Sequence, residues 1–362
     1  MNSSQTQSNP NILFVYSDNR YEWNCTQWRC IIPARALRKC TATSVSLVYI
    51  QDFIHSEKSS IDLCDQADII IIQRNAFIPA AIECINWMLK NKKIIVDIDD
   101  SYHHMNRTHN GFPYWIEGLI KDEQGNSRYL QYSPLKQIEW TIKLVGNLSS
   151  PNQLILNDWS KYGINTILFP NYIESEKYKK HMNTKPKDII TLGWGGSLTH
   201  FLSFSETGVT TAITRILKRR KDVHLYLTTA DTRIVNSFDM TKGNVFWHSF
   251  GAFQQWPKLL KNTDIGIIPL HGNYDQRRSW IKPLECFCMG IPWLSSYSEA
   301  YKDIPGGKFV KNTANWWEEE IENAIDNYKI LKEQSVSLAQ DTSKFDVYDQ
   351  AQNILNSISS VL

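Results

Sequence analysis

No apolar run in the 362-residue chain is longer than a strand, so no segment reads as a membrane span. The opening residues, MNSSQTQSNPN, are polar and lack the apolar core of a secretory signal, which leads to the expectation of a cytoplasmic protein. Cysteine is sparse and scattered. Cys25, Cys30, Cys40, Cys64 and Cys84 show no zinc spacing, and Cys286 and Cys288 share one apolar stretch with no His beside them. Free, buried thiols are expected, as in a reducing compartment. Excess charge is missing too. A net charge of +2 argues against a polyanion as the main partner, and the single basic run, Lys218 to Lys221, reads as the cationic end of a helix. No G-x-G-x-x-G follows the first apolar strand, which excludes the usual dinucleotide fingerprint. What the chain does have is aromatic residues, with 13 Trp and 16 Tyr. Such side chains suit sugar-stacking surfaces as well as cores.

The length suits two domains, each with its own core. Continuous apolar strands are expected at Asn11 to Tyr16, Ser44 to Ile50, Ala67 to Gln73 and Lys93 to Ile98, with helical stretches between them. That alternation implies a parallel sheet covered on both faces. Ligands of such sheets sit beyond the carboxyl ends of the strands. Arg74 occupies one such end, and VDIDDSYHH places Asp97, Asp99, Asp100 and His103 at another. The Asp cluster has three readings: ligands of a divalent cation, a base or orienter for an acceptor hydroxyl, or a helix cap. The cleft-facing polar role is preferred to the metal role. The aromatic stretch Arg107 to Tyr132 reads either as a flap or as a packed insertion. The charged segment from Glu174 to Lys187 is the best linker candidate. After it the pattern restarts with Ile189 to Gly193, followed by WGGSLTH, whose glycines would let the backbone present N–H groups to an anion.

The stretch that organises the rest is RRSWIKPLECFCMGIPWLSS, Arg277 to Ser296. Leu284, Phe287 and Cys288 fall at helical spacing, Gly290 suits a C-terminal cap and Pro292 prevents continuation. Lys282 and Glu285 share one turn near the helix start. There a Lys and the helix dipole can face phosphate, and a carboxylate can accept hydrogen bonds from sugar hydroxyls. The bland alternative is a solvated ion pair.

The pattern K-x-x-E-x-x-x-x-G-x-P before a strand resembles the nucleotide-sugar motif of GT-B glycosyltransferases, especially family 4 and its relatives. The resemblance implies an α/β chain with two Rossmann-like domains whose parallel sheets face a central cleft. It implies boundaries at 1–172 for the acceptor-side domain, 173–188 for the linker, 189–335 for the nucleotide-sugar domain and 336–362 for a helix crossing back to the first domain. By resemblance Glu285 holds the donor ribose and Lys282 the diphosphate. Many members carry a second Glu eight positions earlier; here that position is Arg277, and Arg277 or Arg278 is assigned to the phosphates instead. GWGGSLTH is similar to the start of the donor domain in some relatives, which brings Gly195, Gly196, Ser197 and His200 to the donor. The family's base-contacting loop corresponds to His248, Ser249 and Phe250. Arg29, in a loop before a Pro-Ala-x-x-Leu helix, is expected at the cleft or else on the surface. Asp99 and Asp100 stand where the family often has His-Asp.

The function expected is transfer of a hexose or pentose from a nucleotide diphosphate sugar to an acceptor hydroxyl, with retention, no cofactor and no metal. The acceptor is a glycan, a lipid-linked sugar, a small molecule or, with less support, a DNA base. The rival expectations are an epimerase or hydrolase of the same fold and a non-catalytic nucleotide-sugar-binding subunit.

Overall fold

The computed structural model describes residues 9–22, 24–249 and 253–362. Strands form where aliphatic residues run together. In the first half they are β1 (Ile12–Tyr16), β2 (Val45–Tyr49), β3 (Ile69–Gln73) and β4 (Lys93–Asp97). A two-stranded antiparallel ribbon follows, β5 (Leu119–Lys121) and β6 (Ser127–Tyr129), then β7 (Asn147–Ser150) and β8 (Asn165–Leu168). The second half contributes β9 (Ile190–Gly196), β10 (Val223–Thr229), β11 (Val245–His248), β12 (Ile265–Ile268), β13 (Trp293–Ser296) and β14 (Gly307–Val310).

Apart from the ribbon, these strands form two six-stranded parallel sheets, ordered β2-β1-β3-β4-β7-β8 and β11-β10-β9-β12-β13-β14. Every residue of β3, β12 and β13 is buried, as expected of strands covered on both faces. A parallel strand needs a crossover back to its start, and helices supply it on either side. In each sheet the strand order reverses once. The reversal lies between β1 and β3 in the first sheet and between β9 and β12 in the second.

The halves are joined by more than one strand of chain. Ser175 donates from both its N–H and its hydroxyl to Asp346 Oδ2, at 2.9 and 2.5 Å. The final helix, Ala351–Ser359, packs on the helix Ile32–Cys40 of the first half. Phe345, Ile354 and Leu355 lie in one apolar cluster with Leu37 from the first half and Leu284 and Phe287 from the second. The stretch read as a linker is therefore partly ordered and packed, with a short helix Ser175–Lys179. Within the segment 107–132, Trp115 stacks on Tyr102 at 4.1 Å, whereas residues 123–129 are exposed. Among the described residues no helix is long and apolar enough to cross a membrane.

The glycine run differs from its expected form. It is not a loop; β9 continues through Gly195 and Gly196. Glycine is needed there because neighbouring side chains occupy the space of a Cβ. A Cβ on Gly193 would lie 1.9 Å from Thr263 Oγ1, and one on Gly195 would lie 2.1 Å from the Trp256 ring. Gly193→Ala should therefore lower stability by about 1–3 kcal/mol, the usual cost of overpacking a filled core. A urea midpoint that moves down with an unchanged slope would show it.

Candidate functional site

Open α/β sheets bind ligands outside the strand ends where the order reverses. Both reversals in this chain open onto one cavity of about 480 Å³. Asp18 and Asn19 follow β1, Arg74 follows β3, and Asp99 and Asp100 follow β4. From the second half come Gly196 at the end of β9, Ser197 and His200 after it, and Arg278, Lys282 and Glu285 after β12. The size lies within the range of small-molecule sites.

The second half supplies a cationic wall. Lys282 and Glu285 stand on the helix Ile281–Cys288, which ends as its sequence requires, with Gly290 at φ 59° just beyond it. Lys282 Nζ donates to the Gly195 carbonyl at 2.7 Å and takes part in no ion pair among the described residues. Burial pushes its ammonium down to about 8. Glu285 is 1% exposed, and Tyr178 donates its hydroxyl to Oε1 at 2.9 Å. Burial raises this carboxyl, and Lys282 and Tyr178 work against that rise. Arg278 is held in place by its own turn. Its Nε donates to Asp275 Oδ1 at 2.6 Å and its Nη2 to Thr199 Oγ1 at 3.0 Å. Asp275 is fixed in turn by Ser203 and by the His271 N–H. His200 is 3% exposed and lies edge-on to Trp194. Burial, Arg278 and Lys282 hold it well below the usual imidazole range, so it is a neutral ring at pH 7.

The first half supplies the acidic wall. Burial and the neighbouring Asp100 push the Asp99 carboxyl up to about 6. Burial and the nearby Asp100 carboxylate hold the Tyr274 phenol well above its ordinary range, so Asp100 lies close to the opposite half. Arg74 has a left-handed backbone, φ 55°, and pairs with Asp18. Among the described residues no three His, Cys, Asp or Glu side chains are grouped so as to hold a metal ion.

Two facing Rossmann-like sheets with one cavity between their carboxyl edges can be compared with known structures. The catalytic domain of starch synthase IV from Arabidopsis thaliana, bound to ADP and acarbose, superposes with a TM-score of 0.66 at 9% identity, over 98% of this chain and 99% of that one. The chain has the GT-B fold. UDP-GlcNAc 2-epimerase from Neisseria meningitidis, bound to UDP-GlcNAc, gives 0.54 at 10% identity, over 97% and 100%. TarM gives 0.57 at 13% over 83% of this chain, which spans 58% of TarM's length. No family model matches the chain, and no curated protein does.

Within this GT-B chain, Asp99, Asp100, His200, Gly196, Ser197, Arg278, Lys282, Glu285 and Arg74 come together at the cavity. Gly195 lies behind it and acts through its carbonyl on Lys282. Four expected site residues lie elsewhere. Arg29 is fully buried, fork-to-fork with Asp97 at 2.9 and 2.6 Å, and also donates to Phe169 O and Asn171 Oδ1. It is a core tie between the first sheet and the chain after β8, neither cleft-facing nor on the surface, and it removes Asp97 from any D-x-D pair. Arg277, expected with Arg278 at the phosphates, is turned onto Asp158 across the boundary between the halves, at 2.6 Å. His103 faces Glu139 at 2.8 Å, because its turn folds back on the helix Pro134–Val145. His248 ends the edge strand β11, two strands from the reversal, and is exposed. Phe250 lies outside the described residues.

Other lining residues had no motif to mark them. Asp18, Asn19, Cys25 and Trp28 come from the loop and helix after β1, and Thr199 and Tyr301 from the second half. Tyr178, the residue that orients Glu285, sits in the charged stretch read as a linker.

Proposed function

We propose that the protein transfers a glycosyl group from a nucleotide diphosphate sugar to an acceptor hydroxyl. The observation that carries this reading is the shared cavity, with Lys282, which forms no ion pair among the described residues, on one wall and Asp18, Glu22, Asp99 and Asp100 on the other. Lys282 meets the diphosphate, since Arg278 already has Asp275 as its counter-ion. Charge that develops on the leaving diphosphate is stabilised by a cation already in place. Glu285, oriented by Tyr178, accepts from the ribose hydroxyls. Asp100 orients the acceptor hydroxyl, with Asp99 beside it. As the anomeric C–O bond to the diphosphate breaks, a new C–O bond forms to the acceptor oxygen, whose proton leaves through this polar surface, and the nucleoside diphosphate departs. The resemblance to family 4 implies retention at the anomeric carbon. Transfer requires no metal in this reading, so the rate should persist in EDTA. Loss in chelator with recovery on adding Mg²⁺ or Mn²⁺ would assign the acidic wall to a cation instead.

The acid side of the pH profile follows from Asp99. Its carboxylate can accept a hydrogen bond above about pH 6 and is protonated below it. The value of kcat/KM should therefore fall as pH is lowered through about 6, and Asp99→Asn should remove that inflection.

A second reading, epimerisation of the nucleotide sugar, is favoured by the raised Asp99 carboxyl and the neutral His200 in the same cavity, which suit proton transfer. Release of nucleoside diphosphate that depends on added acceptor supports transfer. Acceptor-independent conversion to an isomeric nucleotide sugar supports epimerisation.

A further inference from the structure

A trough of about 590 Å³ opens beside the central cavity, and the two share Asp18 and Asn19. Topology sets its place. Tyr16 and Tyr49 are the last residues of β1 and β2 and lie opposite each other in register. Their rings are 5.5 Å apart and tilted by 42° at the carboxyl edge that also carries Asp99 and Asp100. Tyr21 completes the aromatic lining. It is 64% exposed, and Arg20 donates to its hydroxyl at 2.8 Å with the guanidinium over the ring. Asp52 and Ser60 add polar groups on the far side.

We propose that this trough holds the body of an oligosaccharide acceptor whose terminal hydroxyl reaches Asp99 and Asp100. Three tyrosines give apolar faces for the C–H faces of pyranose rings, with phenol, carboxylate and hydroxyl groups at hand for sugar hydroxyls. The charge of the lining excludes a polyanion. Arg20 is the one cation among the lining residues, against Asp18 and Asp52, and Asp18 is already bound to Arg74. The shared rim makes the trough a continuation of the cavity, so one ligand can occupy both. The direction of transfer rests on the nucleotide-sugar reading above; the binding of a glycan does not.

The test uses the whole chain on a printed glycan microarray. Calorimetry then measures the best-bound oligosaccharide, its terminal monosaccharide and, separately, UDP, ADP and GDP. The variants are Tyr21→Ala, whose exposed ring contributes little to folding, Tyr21→Phe, and the double change Tyr21→Ala with Tyr49→Ala. The expected result is an oligosaccharide bound about tenfold more tightly than its monosaccharide. Tyr21→Ala weakens it several-fold, the double variant more, Tyr21→Phe restores it, and nucleotide affinity stays constant. Tyrosine-dependent glycan binding by a protein that binds no nucleotide would uphold the trough and defeat the donor reading. The proposal is overturned if no glycan is retained, if the retained glycan is indifferent to both tyrosines, or if inorganic polyphosphate is bound in its place.

Discussion

Lys282→Met should slow transfer by about a hundred- to a thousandfold, the scale of losing one preorganised group aimed at a developing anion. The size follows from the lack of any substitute. Arg278 is held by Asp275 and Thr199, and Arg277 is held by Asp158. Among the described residues Lys282 donates to Gly195 O, lies over the Trp194 ring and forms no ion pair, and so can meet an anion from a fixed position. Removing the charge also leaves the Gly195 carbonyl without its donor and buried Glu285 without its neighbouring cation, so some loss of stability should accompany the loss of rate. Initial rates together with thermal midpoints separate the two effects. A variant that kept the wild-type rate would place the diphosphate elsewhere.

Asp100→Ala should lower transfer by about a hundred- to ten-thousandfold, the range for losing a positioned acid–base group, while leaving nucleotide affinity nearly unchanged. The asymmetry comes from the two walls. Asp100 follows a strand of the first sheet, whereas Lys282 and Glu285 stand on a helix of the second half. Asp100 also lies near Tyr274 of the other half, so Asp100→Asn serves as the control that keeps a polar group in that place. Equal losses in rate and nucleotide affinity would move Asp100 from the acceptor side to the donor side.

Lys282 and Glu285 could be read from the sequence because their chemistry is local. One turn of helix, a strand before it and Gly290 after it are enough to place both side chains at a sheet edge. The two halves and their parallel sheets were legible for a similar reason, since continuous aliphatic strands alternating with helices leave few other architectures. Partners that come from far along the chain were not legible. Arg29 looks like a surface residue until Asp97, Phe169 and Asn171 close around it from 68, 140 and 142 positions away. Arg277 looks free until Asp158 arrives from 119 positions away. Gly195 and Gly196 were expected after the strand rather than within it because composition does not show that Trp256 and Trp194 fill their missing Cβ positions, as Thr263 does for Gly193. His248 was misplaced because strand order, which puts β11 at an edge, is not written in the strand itself.

The central claim is that a nucleotide diphosphate sugar binds between Lys282 and Glu285 on one wall and the Asp99–Asp100 edge on the other. A thermal-denaturation titration against a panel of nucleotide sugars and bare nucleotides tests it most directly, run in parallel on the wild type and on the Lys282→Met, Glu285→Gln double variant. The account predicts that at least one nucleotide sugar stabilises the wild type by about 2.7 kcal/mol at a hundred times its dissociation constant, and that the double variant loses most of that shift. A panel in which no nucleotide sugar stabilises the wild type, or in which the double variant responds as the wild type does, would contradict it.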